Sequence, residues 1–261
     1  MNKKNIFLFY LIFTYNSIFS QEFYDPRDVV IPLKDVSIYE EATYLYFQNN
    51  ISLLVRWEYT LEDEKIKSSK SYSQDGKLWT YSTFEYNNQG YLISIKTQDY
   101  SLGEVTEKLY ELTYKFNKNG TVKKITETEK HSNYTTRVDV FKQYTGKNDY
   151  VVRTKFLVDN DPFFYTKIYK NGLKTAYINE AKHLVTKFIY TNGLLVERDS
   201  QDMYVDSKLF FELDKFNNKI KEAQITGNIG REFRFNKIVY TNGEEYGSTE
   251  IDTAFVDKYK N

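Results

Sequence analysis

Two histidines are the side chains of this sequence best suited to proton transfer at neutral pH, since it holds only His131 and His183 and no cysteine. A histidine that works as a general base needs a partner that orients its ring. His131 lies in a polar turn sequence and His183 lies between two predicted hairpins, and neither has such a partner nearby in the sequence. Two histidines are also too few for a histidine-rich metal cluster. We interpret both as surface residues.

Acidic residues in predicted loops are the next candidates, because carboxylates can bind calcium or act in pairs on a glycosidic bond. Asp159 with Asp161, and Asp199 with Asp202, lack the spacing and the central glycine of a calcium loop. Nothing matches a nucleophile elbow, a metalloprotease helix, a P-loop or a dinucleotide-binding loop. We therefore predict no catalytic residue, no cofactor site and no metal site.

Aromatic residues are the third group that could bind a ligand, because exposed rings stack on sugars or on a partner's side chains. The chain has 25 tyrosines, 19 phenylalanines and two tryptophans. In a β protein most of these rings serve as core and as cross-strand pairs. Trp57, Trp79 and Tyr81 are the candidates for an aromatic binding surface.

The overall composition excludes several classes of protein. The 36 basic and 36 acidic side chains balance, which argues against a protein that binds nucleic acid by neutralising phosphates. An aromatic content of 18% is too high for a disordered chain. Without cysteine there is no disulfide framework, no thiolate nucleophile and no lipobox cysteine.

The N-terminus has the three parts of a secretory signal peptide. Lys3 and Lys4 give the positive charge, residues 6–13 are apolar, and Ser20 precedes the expected cleavage point before Gln21. The apolar stretch is too short to span a membrane as a helix, and no later stretch is long and apolar enough. The end of this segment resembles the signal peptides of secreted Bacteroidetes-type proteins. We expect an exported protein that is periplasmic, cell-envelope associated or extracellular.

An aromatic residue followed by a short turn recurs about every 25 residues. Four of these turns contain Asn-Gly, ending at Gly120, Gly172, Gly193 and Gly243. Asn and Gly tolerate the positive φ angles of a two-residue type I′ turn, and the flanking residues are β-branched or aromatic. The repeat therefore predicts hairpins. At Asn192-Gly193, a two-residue loop would pair Thr191 with Leu194, Tyr190 with Leu195, Ile189 with Val196 and Phe188 with Glu197.

The repeat units resemble the YD or RHS-type repeats of bacterial secreted and cell-envelope proteins. The segments that carry this resemblance are 86–92, 116–122 and 213–220, in which an aromatic or aliphatic residue and an Asn- or Asp-containing turn precede a strand. The resemblance implies repeated hairpins in one continuous curling sheet. It does not extend to toxin chemistry, which in that family lies in a separate C-terminal domain.

The segment 21–66 differs from the repeats and is predicted to be a cap or lead-in. Ser37 and Glu40 fit a capping box, and the apolar residues that follow fall at helical spacing, so a short helix over 37–49 is one expectation. An alternating strand fits the same residues. We expect a signal peptide over 1–20, the lead-in over 21–66 and the hairpin repeats over 67–261, with the last two forming one continuous domain.

These observations predict an all-β fold, an antiparallel meander of hairpins that forms a large curled sheet or a solenoid-like stack. We expect an exported, non-catalytic module that binds a protein or glycan partner or supports the envelope. One version is an immunity-type partner of a toxin. An outer-membrane β-barrel of about 12 strands is an alternative, although charges interrupt the strands. A carboxylate-dependent glycoside hydrolase is another alternative.

Overall fold

The computed structural model describes residues 34–130, 135–158, 161–181, 183–200, 207–226 and 230–260. The predicted signal peptide, its cleavage point at Ser20 and Gln21, and residues 21–33 of the lead-in lie outside these ranges. No helix in the described ranges is long and apolar enough to cross a membrane.

The described chain forms seventeen antiparallel strands and one short helix, α1, at its C-terminal end. The predicted boundary between 66 and 67 falls inside the third strand, and the strands before it belong to the same sheet. The strands are β1 Val36–Phe47, β2 Asn50–Glu62, β3 Lys65–Tyr72, β4 Leu78–Tyr86, β5 Leu92–Asp99, β6 Thr106–Phe116, β7 Val122–Lys130, β8 Thr135–Tyr144, β9 Tyr150–Val158, β10 Asp161–Lys170, β11 Leu173–Asn179, β12 Leu184–Thr191, β13 Leu194–Ser200, β14 Ser207–Leu213, β15 Lys219–Thr226, β16 Gly230–Tyr240 and β17 Glu245–Gly247; α1 spans Thr253–Tyr259.

The sheet closes into a barrel of sixteen strands. Each strand from β1 to β16 pairs with the next, and β1 also pairs with β16, from Tyr46 opposite Arg231 to Ile38 opposite Val239. The predicted all-β meander of hairpins is confirmed, but the expected curled sheet or solenoid-like stack is wrong. The reason is that β1 bonds to strands on both of its edges, so the first and last strands of the meander satisfy each other's backbone groups. We call this β1–β16 contact the closure seam.

The predicted helix over 37–49 is wrong, and the alternating-strand interpretation of the same residues is correct. In β1, Tyr39 and Ala42 are both buried, but they lie on opposite faces of the sheet. Tyr39 shares its face with Tyr59 on β2, and Ala42 shares its face with Phe235 on β16. Backbone bonding on both edges of β1 outweighs the local helical spacing. The short helix lies instead at the other end of the chain.

Successive repeat turns lie at one end of the barrel, which we call the repeat end. The turns at 87–91, 117–121, 145–149, 171–172, 192–193, 214–218 and 241–244 each join an even-numbered strand to the next odd-numbered strand. A period of about 25 residues is thus one complete hairpin. The Asp75-Gly76 turn joins β3 to β4 and lies at the opposite end.

The same Asn-Gly pair forms two kinds of turn. Asn192 and Gly193 have φ angles of 52° and 80°, as a type I′ turn requires, whereas at Asn119-Gly120 only the glycine has a positive φ. At 192–193 the predicted pairs of Thr191 with Leu194 and Tyr190 with Leu195 are correct. The next predicted pairs are wrong by one residue, because a bulge places Ile189 opposite Glu197 and Phe188 opposite Arg198.

The two faces of the barrel wall are distinct. Trp57, Ser71 and Thr80 share the inward face by register, and Trp57 and Ser71 are buried. Glu58 and Lys70, which alternate with them, form an ion pair on the outward face with side chains 26% and 39% exposed. The inward face carries most of the buried side chains, including the cluster formed by Leu92, Ile95, Leu112, Ile125, Val138 and Val140.

Candidate functional site

A cluster of charged side chains lies on the inward face beside the closure seam. Arg234 on β16 contacts Glu222 on β15 with Nη1 3.2 Å from Oε1, and its Nη2 is 2.5 Å from Glu232 Oε1. Lys219 Nζ also pairs with Glu222. Glu41 on β1 accepts a hydrogen bond of 3.1 Å from the Tyr39 hydroxyl. We call Glu41, Arg198, Lys219, Glu222, Glu232 and Arg234 the inner ion cluster.

Strand alternation positions this cluster. In the run Glu232-Phe233-Arg234-Phe235, the charged residues face inward and the two phenylalanines face outward, where they are almost fully buried against α1. The outward phenylalanines pack against Phe255 of the helix with edge-on rings. One stretch of sequence therefore builds an ionic contact inside the barrel and an aromatic contact outside it.

The electrostatics of the cluster tie its carboxylates to cations. Enclosure opposes ionisation of Glu222, but the charges of Arg234 and Lys219 outweigh this effect and lower the pKa of its carboxyl. Burial raises the pKa of Glu41, with Arg234 opposing the change. Glu222 and Glu232 are thus both held in ion pairs with Arg234.

Four buried polar atoms in or near the cluster lack a hydrogen-bond partner among the described residues, and Arg198 Nε and Ser207 Oγ are the two donors among them; the other two are Glu232 Oε1 and Asn236 Oδ1. Arg198 and Ser207 face inward, and they lie directly opposite each other in the β13–β14 pairing. Arg198 donates through Nη1 to Gln224 Oε1 at 3.2 Å. Buried polar atoms are nearly always bonded, so this pair marks a place where another group can bind.

A second buried carboxyl lies on the far side of the barrel. Glu127 on β7 is opposite Leu112 and Val138, which belong to the apolar inward cluster. Burial, with a smaller contribution from the charge of Glu129, raises the pKa of Glu127 to about 7. This carboxyl is therefore protonated in part at neutral pH.

The outward face of the wall carries cross-strand ion pairs. Lys96 with Glu85, Lys130 with Glu111, and Arg153 with Glu180 have separations of 3.3, 2.6 and 2.7 Å, and all six side chains are at least 31% exposed. These pairs lie on strands around the wall from β4 to the loop after β11. The outward face is therefore charged at strand positions along this part of the wall.

The three aromatic residues predicted to form a binding surface do not lie together. Trp57 faces the lumen, is 8% exposed and stacks on Tyr59 with ring centroids 5.9 Å apart. Tyr81 lies opposite Lys70 on the outward face and is half-buried. Trp79, two residues before Tyr81 on β4, is also half-buried. Trp57 and Tyr81 are therefore on opposite faces of the sheet.

The other residues considered from sequence are spread along the chain. His183 lies in the turn between β11 and β12 with a φ of 54°. Asp199 on β13 faces outward opposite Lys187. Within the described ranges, no group of three or more acidic or histidine side chains could hold a metal ion. His131, Asp159 and Asp202, and the side chain of Asp161, lie outside the described residues.

Sequence reasoning missed the inner ion cluster. From sequence alone, charged residues within strands look like interruptions of an apolar pattern. A usable signal is the strict alternation at 232–235, where both charges fall on one face and both phenylalanines on the other. Its meaning depends on closure, because only a closed sheet has an inward side for these charges.

Comparisons with known proteins give little beyond the fold. No family model matches the chain, and no curated protein matches it. Among solved structures, the chain is similar to a porin-like protein from Bacteroides uniformis ATCC 8492, with 12% sequence identity and a TM-score of 0.35 over 79% of this chain and 98% of that chain. A likeness at this level says nothing of what the chain does.

Proposed function

We propose that the mature chain is an exported, non-catalytic β-barrel of the cell envelope that works by binding a protein or glycan partner from water. The observation that carries this proposal is the set of ion pairs on the outward face of a closed wall. A barrel in lipid needs an outward apolar band about 25 Å tall. Here the pairs of Lys96 with Glu85 and of Lys130 with Glu111 place charges on the outward face, and Lys96 and Glu111 lie near the middle of β5 and β6.

Strand length supports the same proposal. A membrane-spanning β-strand needs roughly 9–11 residues. β11 and β12, whose ends all lie among the described residues, have only seven and eight residues. These two strands are therefore short for a bilayer.

An outer-membrane β-barrel is the second candidate, and the closure of the sheet favours it. An even number of antiparallel strands, joined edge to edge with a polar inward face, is the architecture of such barrels. The sixteen strands and the inner ion cluster fit that description. This candidate differs from the first in whether lipid or water contacts the outward ion pairs.

Fractionation separates the two candidates. The full chain, residues 1–261, would be expressed in a Gram-negative host, and osmotic-shock, medium and membrane fractions would be compared. We expect the folded protein in the shock or medium fraction without detergent. Recovery only after detergent extraction of the outer membrane, as a band whose migration shifts on heating in dodecyl sulfate, would support the second candidate instead.

Trp79 and Tyr81 are the two half-buried aromatic residues on β4 that a glycan could contact, and Tyr81 faces outward. We expect soluble polysaccharides to change the migration of the protein in affinity electrophoresis, and Trp79→Ala with Tyr81→Ala to remove that change. Tyr72→Ala is the matched control, because Arg56 lies over the Tyr72 ring at 4.5 Å and covers it. Unchanged migration of the original protein with every polysaccharide tried would count against a glycan partner.

A further inference from the structure

The pairing between β13 and β14 is the shortest in the barrel wall among the described residues. Within the described residues these strands share two pairs, Glu197 with Lys208 and Arg198 with Ser207. Toward the repeat end, Leu194–Val196 of β13 and Leu209–Leu213 of β14 have no ladder pairing with each other. We call this region the split. The outer edges of both strands are fully used, since β13 pairs with β12 and β14 pairs with β15.

Other junctions between hairpins also separate toward the repeat end, but at two of them a tyrosine hydroxyl bridges the strands. The Tyr114 hydroxyl on β6 donates to the Leu92 carbonyl on β5 at 2.7 Å, and the Tyr190 hydroxyl on β12 donates to the Lys174 carbonyl on β11 at 3.0 Å. On β14, the residues one and three positions before the turn are Leu213 and Phe211, which carry no hydroxyl. The split is therefore left without this bridge.

Two unpartnered hydrogen-bond donors lie one residue pair beyond the inner end of the split. The last pair before the strands separate is Glu197 with Lys208, and Arg198 Nε and Ser207 Oγ belong to the next pair, in which Ser207 is 4% exposed. Within the described residues no carboxylate lies in ion-pair distance of Arg198, while the neighbouring Arg234 already contacts Glu222 and Glu232. An anionic group bound here would satisfy both donors.

We propose that the split binds the extended C-terminal end of a polypeptide. Its backbone adds as a strand along Leu194–Val196 and Leu209–Leu213, and its terminal carboxylate accepts hydrogen bonds from Arg198 Nε and Ser207 Oγ. Strand addition at an exposed edge and capture of a terminal carboxylate are both established modes of peptide recognition. The inference deepens the proposed binding role by naming the class of partner.

The chemistry of the split favours a peptide over a glycan. Strand edges present alternating N–H and C=O groups at the spacing of another strand, and the five residues of Leu209–Leu213 cover about 17 Å at the rise of a β-strand. The side chains that border the split are mainly aliphatic and aromatic: Leu194, Leu195, Val196, Leu209, Phe210 and Phe211. They suit the apolar side chains of an extended peptide.

Peptide binding tests the proposal directly. The probe is a fluorescein-labelled peptide of alternating valine and threonine with a lysine near the label, made with a free C-terminal carboxylate and, separately, as the C-terminal amide. We expect fluorescence anisotropy to show binding of the carboxylate form to the mature protein, and about tenfold weaker binding of the amide, because one charge-assisted contact is lost. Equal affinity of the two forms would overturn the role of Arg198 and Ser207.

Two kinds of variant locate the binding. Arg198→Met should remove the difference between carboxylate and amide, whereas Arg153→Met, on the outward face, should leave it intact. The chain has no native cysteine, so the double variant Leu194→Cys with Phe211→Cys carries the only two thiols. A disulfide between them would cross the mouth of the split and would hold the two Cα atoms about 4.4–6.8 Å apart. We expect oxidation to abolish peptide binding and dithiothreitol to restore it.

The peptide-binding experiments can fail without contradicting the proposed function, and the reverse is also true. If the oxidised double-cysteine variant still bound the peptide, the split would not be the site. The same would follow if neither peptide bound at protein concentrations up to about 1 mM. Fractionation then still decides whether the barrel works in water or in lipid. A protein found in the outer membrane that nevertheless discriminates carboxylate from amide would contradict the proposed function alone.

Discussion

The closure seam and the far wall of the barrel, strands β5–β9, are held together in different ways. At the seam the inward face carries the inner ion cluster and the outward face is covered by α1. On the far wall the inward face is the apolar cluster around Leu112 and Ile125, and the outward face carries exposed ion pairs. The seam joins strands about 200 residues apart in sequence, as the Ser37 hydroxyl bond to the Val239 carbonyl illustrates. Contacts on both faces are thus concentrated where the loop to be closed is longest.

Removal of Phe255 should have the largest effect, because its ring joins the helix to the seam. It is 4% exposed and packs edge-on against Phe233 and Phe235. We expect Phe255→Ala to lower the free energy of unfolding by about 4 kcal/mol in urea denaturation, with faster amide exchange at β1 and β16. Phe47→Ala, at a ring 60% exposed, is the control. A loss below about 1 kcal/mol would mean that α1 contributes little to closure.

Removal of Arg234 should have the next largest effect. Glu222 and Glu232 would keep their charges without their main partner, and Arg234 is itself 29% exposed to the lumen. We expect Arg234→Met to cost about 3 kcal/mol in the same urea assay. The double variant Arg234→Met with Glu222→Gln should recover part of that loss. A double variant less stable than the single one would show that charge pairing is not what Arg234 contributes.

The pH dependence of stability should differ in sign between the two regions. The pKa of Glu127 is raised in the folded state to about 7, so the unfolded chain ionises first and stability falls as pH rises from about 5 to 8. The expected fall is about 2 to 3 kcal/mol. Glu222 has a lowered pKa, so its contribution is present above its unfolded pKa and is lost as pH falls. Urea melts at several pH values should show Glu127→Gln removing only the neutral-range fall.

The outward ion pair of the far side should have the smallest effect. Arg153 contacts Glu180 bidentately at 3.0 and 2.7 Å, but the arginine side chain is 49% exposed. We expect Arg153→Met to cost less than about 1 kcal/mol and to lose that effect in 1 M salt. A loss as large as that of Arg234→Met would remove the distinction between the inner and outer charges.

The local structure could be predicted from sequence, and the global arrangement could not. Asn192-Gly193 gave the turn and its first two pairs, because φ preferences act over two residues. The bulge at Ile189 depends on how long strands fit across the whole sheet, so the register beyond it was missed. The pairing of Val36–Phe47 with β16 depends on a partner near the other end of the chain. The inner ion cluster depends on the same closure, and for that reason no candidate site contained it.

Closure also has a consequence for how the chain could be connected. Val36 lies opposite Tyr240, and the Thr241 backbone N–H donates to the Asp35 carbonyl at 2.8 Å, so the entrance and exit of the barrel are neighbours. A ring of strands has no intrinsic first member. A circular permutant that joins residue 260 to residue 34 through a flexible linker and begins at Gly146 in the turn between β8 and β9 should therefore fold to the same barrel, with every strand keeping its neighbours.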